Sequence, residues 1–478
     1  MDNQLLLYLM KFHNTLLSAV LAATVAIPSF ADTSATDYAF TTFSPSPAET
    51  RTGGLMKDTT NSRIEYERDM TRRVIDNTHI LTFGGDKTSP VENDSIRELL
   101  YSFYENQFRH TLDPMTPYFM LMSKDATMAM GIGGVIRMRG WYDFNGSIDA
   151  NGFSPYLIPV PRQPDQLRAL GCTPAGTAIY FSILGRHTPI GNFMGYIEAN
   201  FNGYSHVGFQ LKKAYFTINN FTVGYDTSTF SDPAAEPVTI DGSGANGKMS
   251  KTNVLVRYLK TFKGHYTVGG SVEFPGSSIG ADNVYTKKLK DFTPDLVVMT
   301  QYQWDQSVSH VRLSGLFRTL PYRDLLTKKN HTKIGWGVQA SCVAKTSRSL
   351  TLYGITAIGQ GHASYAGDLA IGPNDLLPTP HDNGSMYTPT SLSLIAGAKY
   401  NFLENLYACV ALSELRAYTK ADSPADTYKY GLYGAVNLFW KITPRLELGG
   451  EYLIGKRKNV DGSHGNANRI DAFVQFAF

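Results

Sequence analysis

From residue 128 to the end of the chain, apolar and polar residues alternate in one run after another, and this period of two limits the fold most. Runs of about ten residues with one apolar face are typical of β-strands that cross a membrane. The last run, residues 469–478, places Ile470 and Val474 on one face and ends the chain on Phe478. A strand that continues to the final residue favours a closed sheet, because chain ends outside a sheet are usually loose.

The connections between these runs are alternately short and long. The short connections are 219–220, 263–264, 305–306, 345–348, 403–405 and 443–444. The long connections include 145–176, 228–250, 275–291, 319–330, 361–388 and 456–466. A membrane barrel has short turns at one rim and long loops at the other, whereas a soluble sandwich does not sort its loops in this way. About sixteen runs can be counted, and an even number brings the first and last strands to the same side. We therefore predict an all-β fold, a porin-like antiparallel transmembrane β-barrel of about sixteen strands over residues 128–478.

Composition supports a barrel and excludes several other classes. The mean hydropathy of −0.20 excludes a bundle of transmembrane helices but is compatible with strands that have one apolar and one wet face. The 28 tyrosines and 26 phenylalanines suit strands and the aromatic girdles at membrane interfaces. A formal net charge of +3 does not indicate a nucleic-acid partner. Three cysteines at no metal-like spacing argue against a disulfide framework.

The amino terminus has the order of a secretory signal peptide. Lys11 precedes an apolar run over residues 16–27 and a small-residue end, which predicts a signal peptide over residues 1–31, cleaved between Ala31 and Asp32. Met10 looks like a better start than Met1. Residues 32–127 are expected to form a flexible periplasmic leader, with one helix near 95–109. Export without a later apolar run of spanning length predicts the outer membrane of a Gram-negative bacterium, with its lipid around the barrel.

Strand phase predicts which side chains face the water-filled interior. A basic residue at mid-bilayer on the lipid face costs roughly 2 to 4 kcal/mol, so charges should mark the lumen. In residues 310–318, Val311, Leu313 and Phe317 must face lipid, which turns the arginines inward. Lys212 and Glu198 are assigned to the inner face too. The residues predicted to line the pore and bind solute are Arg137, Arg139, Arg186, Arg257, Arg312, Arg318, Lys399 and Lys441. Each could instead be paired with an acid or simply be solvated.

The loop 228–250 is the candidate for a constriction. It contains the acidic residues Asp232, Glu236 and Asp241. Folded into the pore, these carboxylates would oppose an arginine wall and create a field across the channel. The alternative is a loop that simply points outward.

Other chemistry finds little support. The eleven histidines occur singly, without zinc-site spacing, and no metal or cofactor is predicted. No nucleophile elbow or phosphate-binding glycine loop precedes a helix, so no enzyme is predicted. The aromatic carboxyl terminus, with Phe476 and Phe478, is similar to the signal read by the barrel-assembly machinery.

Four segments carry a resemblance to a known family. They are Gly185-Arg186-His187-Thr188-Pro189-Ile190-Gly191, Tyr196-Ile197-Glu198-Ala199-Asn200-Phe201, Leu211-Lys212-Lys213-Ala214-Tyr215 and Thr229-Phe230-Ser231-Asp232-Pro233. In this order they resemble the DcaP-like trimeric porins of the outer membrane. The resemblance implies a homotrimer of sixteen-stranded barrels that passes small anionic solutes such as dicarboxylates, with arginines lining the constriction.

The leading hypothesis is therefore a porin for passive diffusion of small, anionic solutes. A hypothesis from another class is a structural or adhesive barrel with a plugged lumen, whose loops bind a partner surface. Conductance separates the two, because a plugged barrel would not conduct. A transporter of hydrophobic solutes ranks third, since it would need an apolar tunnel.

Overall fold

The computed structural model describes residues 79–83, 119–123, 127–148, 150–202, 208–304, 309–347, 349–443 and 445–478. The predicted signal peptide, its cleavage site at Ala31 and Asp32, and the helix predicted near 95–109 lie outside the described residues.

The described chain consists almost entirely of strands. In chain order they are β1 (His79–Phe83), β2 (Phe119–Ser123), β3 (Met128–Phe144), β4 (Arg168–Thr173), β5 (Ala178–Thr188), β6 (Gly191–Asn200), β7 (Gln210–Ile218), β8 (Phe221–Thr227), β9 (Thr252–Phe262), β10 (Tyr266–Glu273), β11 (Thr286–Lys288), β12 (Asp295–Trp304), β13 (Ser309–Asp324), β14 (Asn330–Lys345), β15 (Leu350–Gln360), β16 (Leu377–Pro378), β17 (Met386–Tyr387), β18 (Thr390–Leu403), β19 (Leu406–Tyr418), β20 (Tyr428–Lys441), β21 (Leu446–Asn459) and β22 (His464–Ala477). The described helices are short 3₁₀ turns, at Pro155–Leu157, Pro164–Gln166, Pro233–Ala235, Ala363–Tyr365 and Gly367–Ile371. None of the described helices has the length and apolarity needed to cross a membrane.

Sixteen strands form one closed antiparallel barrel, as predicted. The wall consists of β3, β5–β10, β12–β15 and β18–β22, each hydrogen-bonded to its neighbours. Strand β22 pairs with β3, so the sheet has no free edge between its last and first strands. Closure of this kind removes the unpaired backbone groups that lipid could not satisfy.

The last strand closes the barrel in the register expected from its sequence. Arg469 lies opposite Asp143, and the pairing continues to Ala477 opposite Val135. Beyond β22, the amide of Gly134 donates to the carbonyl of Phe478 at 2.7 Å, and the amide of Phe478 donates back at 2.9 Å. The backbone of the terminal residue is thus part of the seam.

Aromatic side chains cluster near both rims of the barrel. At the end with short turns, Tyr266 and Tyr302 lie with ring centroids 5.0 Å apart, and Trp304 stacks on Tyr302. At the opposite end, Phe144 stacks with Tyr452 at 6.2 Å. Two belts of this kind are typical of barrels that cross a bilayer.

Two connections predicted to be long loops are short in the structure. Strand β13 ends at Asp324 and β14 begins at Asn330, while β21 ends at Asn459 and β22 begins at His464. The expected loops 319–330 and 456–466 were therefore too long. Near the loop rim lipid no longer covers the outer face, and on the inner face Leu320 and Tyr322 of β13 are buried against an inward loop, so the alternation seen within the bilayer ends while the hydrogen bonds continue.

The segment before the barrel adds two strands to the sheet. Strand β2 pairs antiparallel with β3, where Phe119 lies opposite Ile132, and β1 runs parallel to β2. Met120 and Met122 of β2 are buried. These strands lie in the part of the chain expected to be a flexible leader.

Candidate functional site

The side chains of β13 identify the two faces of the wall. Val311, Leu313 and Phe317 are 47%, 49% and 46% exposed, whereas Arg312 and Arg318 on the other face are buried. The outer surface is apolar and the inner surface carries the charges, which confirms the predicted phase of this strand. The inner face encloses the lumen, and the candidate site lies there.

The loop 228–250, called the constriction loop below, is fixed at one side of the lumen through Asp232. Its carboxylate accepts hydrogen bonds from His310 Nε2 at 2.8 Å and Ser341 Oγ at 2.5 Å. Arg312 Nη1 lies 3.5 Å from the same carboxylate and donates to the carbonyl of Ser231 at 2.9 Å. Burial alone opposes the charged form, but the charges of Arg312 and His310 hold the pKa of Asp232 below its usual range. Asp232 is therefore a charged anchor.

A second anchor lies across the barrel. Arg139 Nη1 of β3 is 3.2 Å from Asp241, whose carboxylate also accepts the amide of Phe153 at 2.8 Å. Glu451 of β21 accepts the amides of Ile240 and Asp241 at 2.9 and 2.7 Å. Strand β13 is the ninth of sixteen wall strands counted from β3, so the two anchors lie on opposite sides of the ring. The constriction loop therefore follows about half of the inner wall, from β13 to β3.

Between the anchors the constriction loop lies close to the wall. A Cβ added at Gly397 of β18 would come within 2.4 Å of Pro237, so only glycine permits this approach. Asn437 Nδ2 donates to the carbonyl of Val238 at 2.9 Å. Glu236, the third predicted acid, lies 3.5 Å from Lys248 within the loop.

Two further predicted pore-lining arginines are buried in ion pairs. Arg257 Nη2 lies 2.5 Å from Asp226. Arg318 lies 3.3 Å from Asp295 of the wall and 3.2 Å from Asp375 in the loop between β15 and β18. With Arg139 and Arg312, described above, four of the predicted arginines hold the wall and the inner loops together and make little contact with bulk solvent.

The other predicted cations reach solvent. Arg186 is half-buried near the end with short turns, where its amide donates to the carbonyl of Thr127. Arg137 is half-buried and its Nη2 donates to the carbonyl of Ile240 at 2.6 Å. Lys399 is half-buried and Lys441 is exposed, both on the short-turn side of the constriction loop.

Two more loops turn inward, which the sequence did not predict. In the loop between β3 and β5, Phe153 is fully buried against Tyr433 of the wall, with ring centroids 6.1 Å apart. In the loop between β15 and β18, the carboxylate of Asp368 accepts the amide of Tyr156 at 2.9 Å. Burial raises the pKa of Asp368 to about 7. The amide of Gly367 donates to the carbonyl of a constriction-loop residue at 2.7 Å, so the three loops meet inside the barrel.

One inward cation was missed because of a β-bulge. The pairing of β6 with β7 shifts between Glu198 and Ala199. Lys212 Nζ bonds Glu198 at 2.7 Å, and Lys213 Nζ lies 3.8 Å from the buried Asp226. Strict alternation from Lys212 assigns Lys213 to lipid, but Lys213 is in phase with the buried Tyr215, and Lys212 is the extra residue of the bulge, which lets its side chain reach Glu198 as well.

The buried polar groups do not form a catalytic set. His310, Asp232 and Ser341 have the residue types of a hydrolase triad, but the hydroxyl donates to the carboxylate and not to the imidazole. The imidazole therefore cannot act as a base toward that hydroxyl. Within the described ranges, no group of three or more His, Cys, Asp or Glu side chains could hold a metal ion.

Comparison with known proteins agrees with this geometry. Residues 120–478 match the family described as DcaP outer membrane protein. The chain belongs to this family. The crystal structure of the outer membrane channel DcaP of Acinetobacter baumannii is similar to this DcaP-family protein with a TM-score of 0.65 and 21% sequence identity, over 74% of this chain and 98% of that chain. An anion-selective porin from Comamonas acidovorans is similar with a TM-score of 0.50 and 10% identity, over 73% of this chain and 100% of that chain. A search of curated protein sequences found no match.

Family and fold place this DcaP-family protein in the outer membrane of a Gram-negative bacterium, as a channel protein with the porin fold. In such barrels the short turns face the periplasm and the long loops face outward. The constriction loop therefore enters the lumen from the outer side, and Lys399 and Lys441 lie toward the periplasmic mouth.

Proposed function

We propose that this DcaP-family protein is a water-filled channel for passive diffusion of small anionic solutes such as dicarboxylates. One observation carries the proposal: most of the inward acids are buried while several inward cations reach solvent. The buried acids include Asp143, Glu198, Asp226, Asp232, Asp241, Glu273, Asp295, Asp368, Asp375, Glu451 and Asp471. A solute in the lumen would therefore meet Arg137, Lys399 and Lys441 more readily than a carboxylate.

The physical mechanism requires no covalent chemistry. Low-dielectric walls focus the field of solvent-exposed charges into the channel, which raises the local concentration of anions. Each contact with a hydrated cation is weak, so a solute enters favourably and still leaves. The wall and the constriction loop set the width of the path, and the exposed cations set its preference.

The proposal extends to assembly. We expect export through the signal peptide cleaved after Ala31, recognition of the strand ending in Phe476 and Phe478 by the barrel-assembly machinery, and a homotrimer in the membrane. The support is the sequence resemblance to DcaP-like trimeric porins and the terminal strand that forms the barrel seam. Chemical cross-linking of the protein in isolated outer membranes should give a trimer, and a ladder that stops at the monomer would contradict it.

Planar bilayer recording of the purified protein tests the channel directly. In a potassium chloride gradient, the reversal potential should show preference for chloride, and succinate should carry current in place of chloride. Preference for potassium would overturn the anionic assignment. Absence of any open-channel conductance would overturn the porin.

A second candidate function is supported by the three inward loops. The structural or adhesive barrel would have its lumen closed by the buried contacts around Phe153, Asp241 and Asp368. In that case the folded protein would show no conductance, and its exposed outer loops would bind a partner surface.

A further inference from the structure

Two lysines near the periplasmic mouth share one aromatic ring. Lys399 of β18 places its Nζ 4.0 Å from the centroid of the Tyr407 ring, and Lys441 of β20 places its Nζ 5.8 Å from the same centroid. Tyr407 is the second residue of β19, between these two strands in the wall. Both ammonium groups therefore lie close to the ring of one tyrosine.

These ammonium groups differ from the inward cations deeper in the barrel. Arg139, Arg257 and Arg318 each have a carboxylate within ion-pair distance. Among the described residues, neither Lys399 nor Lys441 has one. Glu447 lies opposite Lys441 in the register of β20 and β21, but its carboxylate accepts the hydroxyl of Tyr407 at 2.9 Å. The local charge is positive and available to a solute.

The ring beneath the two lysines is held rigidly. Tyr407 stacks on Phe439 with centroids 4.7 Å apart and planes at 9°, and Phe439 packs edge-on against Phe473. Ile240 of the constriction loop belongs to the same buried cluster. The tyrosine therefore has a fixed position directly below the constriction loop, while the lysine stems remain flexible.

We propose that Lys399 and Lys441, placed over the Tyr407 ring, form a subsite for small dicarboxylates on the periplasmic side of the constriction loop. This inference rests on the proposed function and deepens it. An ammonium group is a compact, strongly hydrated charge, and its attraction to an exposed ring is small. A carboxylate can therefore draw each lysine off the ring at low cost. A dicarboxylate engages both lysines at once, whereas a monocarboxylate engages one.

The subsite predicts a difference between two probes of equal carbon number, succinate and butyrate. We measure the fall in chloride current through single channels as each probe is added to the side of the short turns. Lys399→Gln and Lys441→Gln should each weaken the effect of succinate by about 2- to 5-fold, as expected for the loss of one solvent-exposed charge contact. The double variant should weaken it further, and butyrate should change by less than about 2-fold in each single variant, where one lysine remains to bind it.

Lys260→Gln is the matched control, because Lys260 lies on the outer face of β9 near the same rim. It removes the same charge and should leave the effect of succinate unchanged. If the double variant conducts normally and succinate lowers its current as in the wild type, the proposed subsite is refuted and the proposed channel function is not. If the wild type does not conduct or prefers potassium, the proposed function fails first.

Discussion

Replacing Asp232 by Asn tests whether charge holds the constriction loop in the lumen. His310 and Ser341 both bond Oδ2 of Asp232, so the Asn oxygen can keep these two contacts, but the negative charge is lost and the amide NH₂ takes the position that faces Arg312. The change also leaves Arg312 without its carboxylate, although that guanidinium keeps its bonds to Gln301 and a loop carbonyl. Breaking a buried pair costs about 3 to 5 kcal/mol, and these retained bonds reduce the loss to about 2 to 3 kcal/mol. The open form of the loop should then be populated about 30- to 150-fold more often.

Single-channel recording should reveal this as frequent steps between conductance substates and as a larger mean conductance. The steps are expected because the anchor at Asp241 remains, so one end of the loop moves while the other stays fixed. Asp461→Asn is the control, since it removes the same charge from the exposed turn between β21 and β22, far from the lumen.

The reasoning fails if D232N has the same conductance and substate frequency as both the wild type and D461N. That result would mean that packing along Pro237 and Val238 holds the loop without help from the Asp232 anchor. Loss of folded protein would be a different outcome, which resistance of the purified barrel to heat in detergent detects. In that event Ser341→Ala, which removes only one bond to the carboxylate, provides the milder test.

Three further predictions concern stability and assembly. Arg469→Met leaves Asp143 buried without its bidentate partner across the barrel seam and should lower the free energy of unfolding by about 3 to 5 kcal/mol. Urea unfolding followed by tryptophan fluorescence measures this loss. The double variant Arg469→Met with Asp143→Leu should recover most of the lost stability. Burial raises the pKa of Asp368 to about 7, so the folded protein keeps a proton that the unfolded chain releases near pH 4. The contribution of Asp368 to stability should therefore fall by on the order of 4 kcal/mol as the pH rises from about 4 to 7. Asp368→Asn should abolish this slope in the same assay, and an unchanged slope would refute it. Deletion of Phe478 removes the two backbone bonds to Gly134 and should reduce the amount of protein in the outer membrane on immunoblots; normal levels would argue against it.

The wall of the barrel could be predicted from the sequence because its rules are local. A side chain such as Val311 or Leu313 must face lipid, and the next residue must then face inward. The cost of a misplaced charge in the bilayer repeats this constraint along every strand. The constraint ends where the bilayer ends, which is why the expected loops 319–330 and 456–466 include the outer parts of β13, β21 and β22.

The interior could not be predicted because its contacts join distant residues. Arg139 and Asp241 are 102 residues apart, and Arg469 and Asp143 are 326 apart. No periodicity links such positions, so the sequence gives the inward direction of each side chain without its partner. The bulge that lets the adjacent Lys212 and Lys213 both reach inward acids cannot be seen in the sequence either, since it inserts one residue into an otherwise regular alternation.

Pairing divides the inward charges into two groups with different effects. A cation held about 3 Å from a carboxylate acts on a distant ion as a dipole, whose potential falls faster with distance than that of a single charge. The pairs at Asp232 and Asp241 should therefore set the shape of the path and contribute little to selectivity. Lys399 and Lys441 act as whole charges near the mouth and should set selectivity without changing shape. Ser341→Ala, which weakens the anchor at Asp232 without removing a charge, should thus change conductance steps but keep the reversal potential. The double lysine variant should shift the reversal potential toward that of a neutral pore but keep the steps. The shift should shrink in 1 M salt, where the Debye length is about 3 Å. If instead Ser341→Ala changes the reversal potential as much as the lysine variants do, the paired charges act on solutes directly.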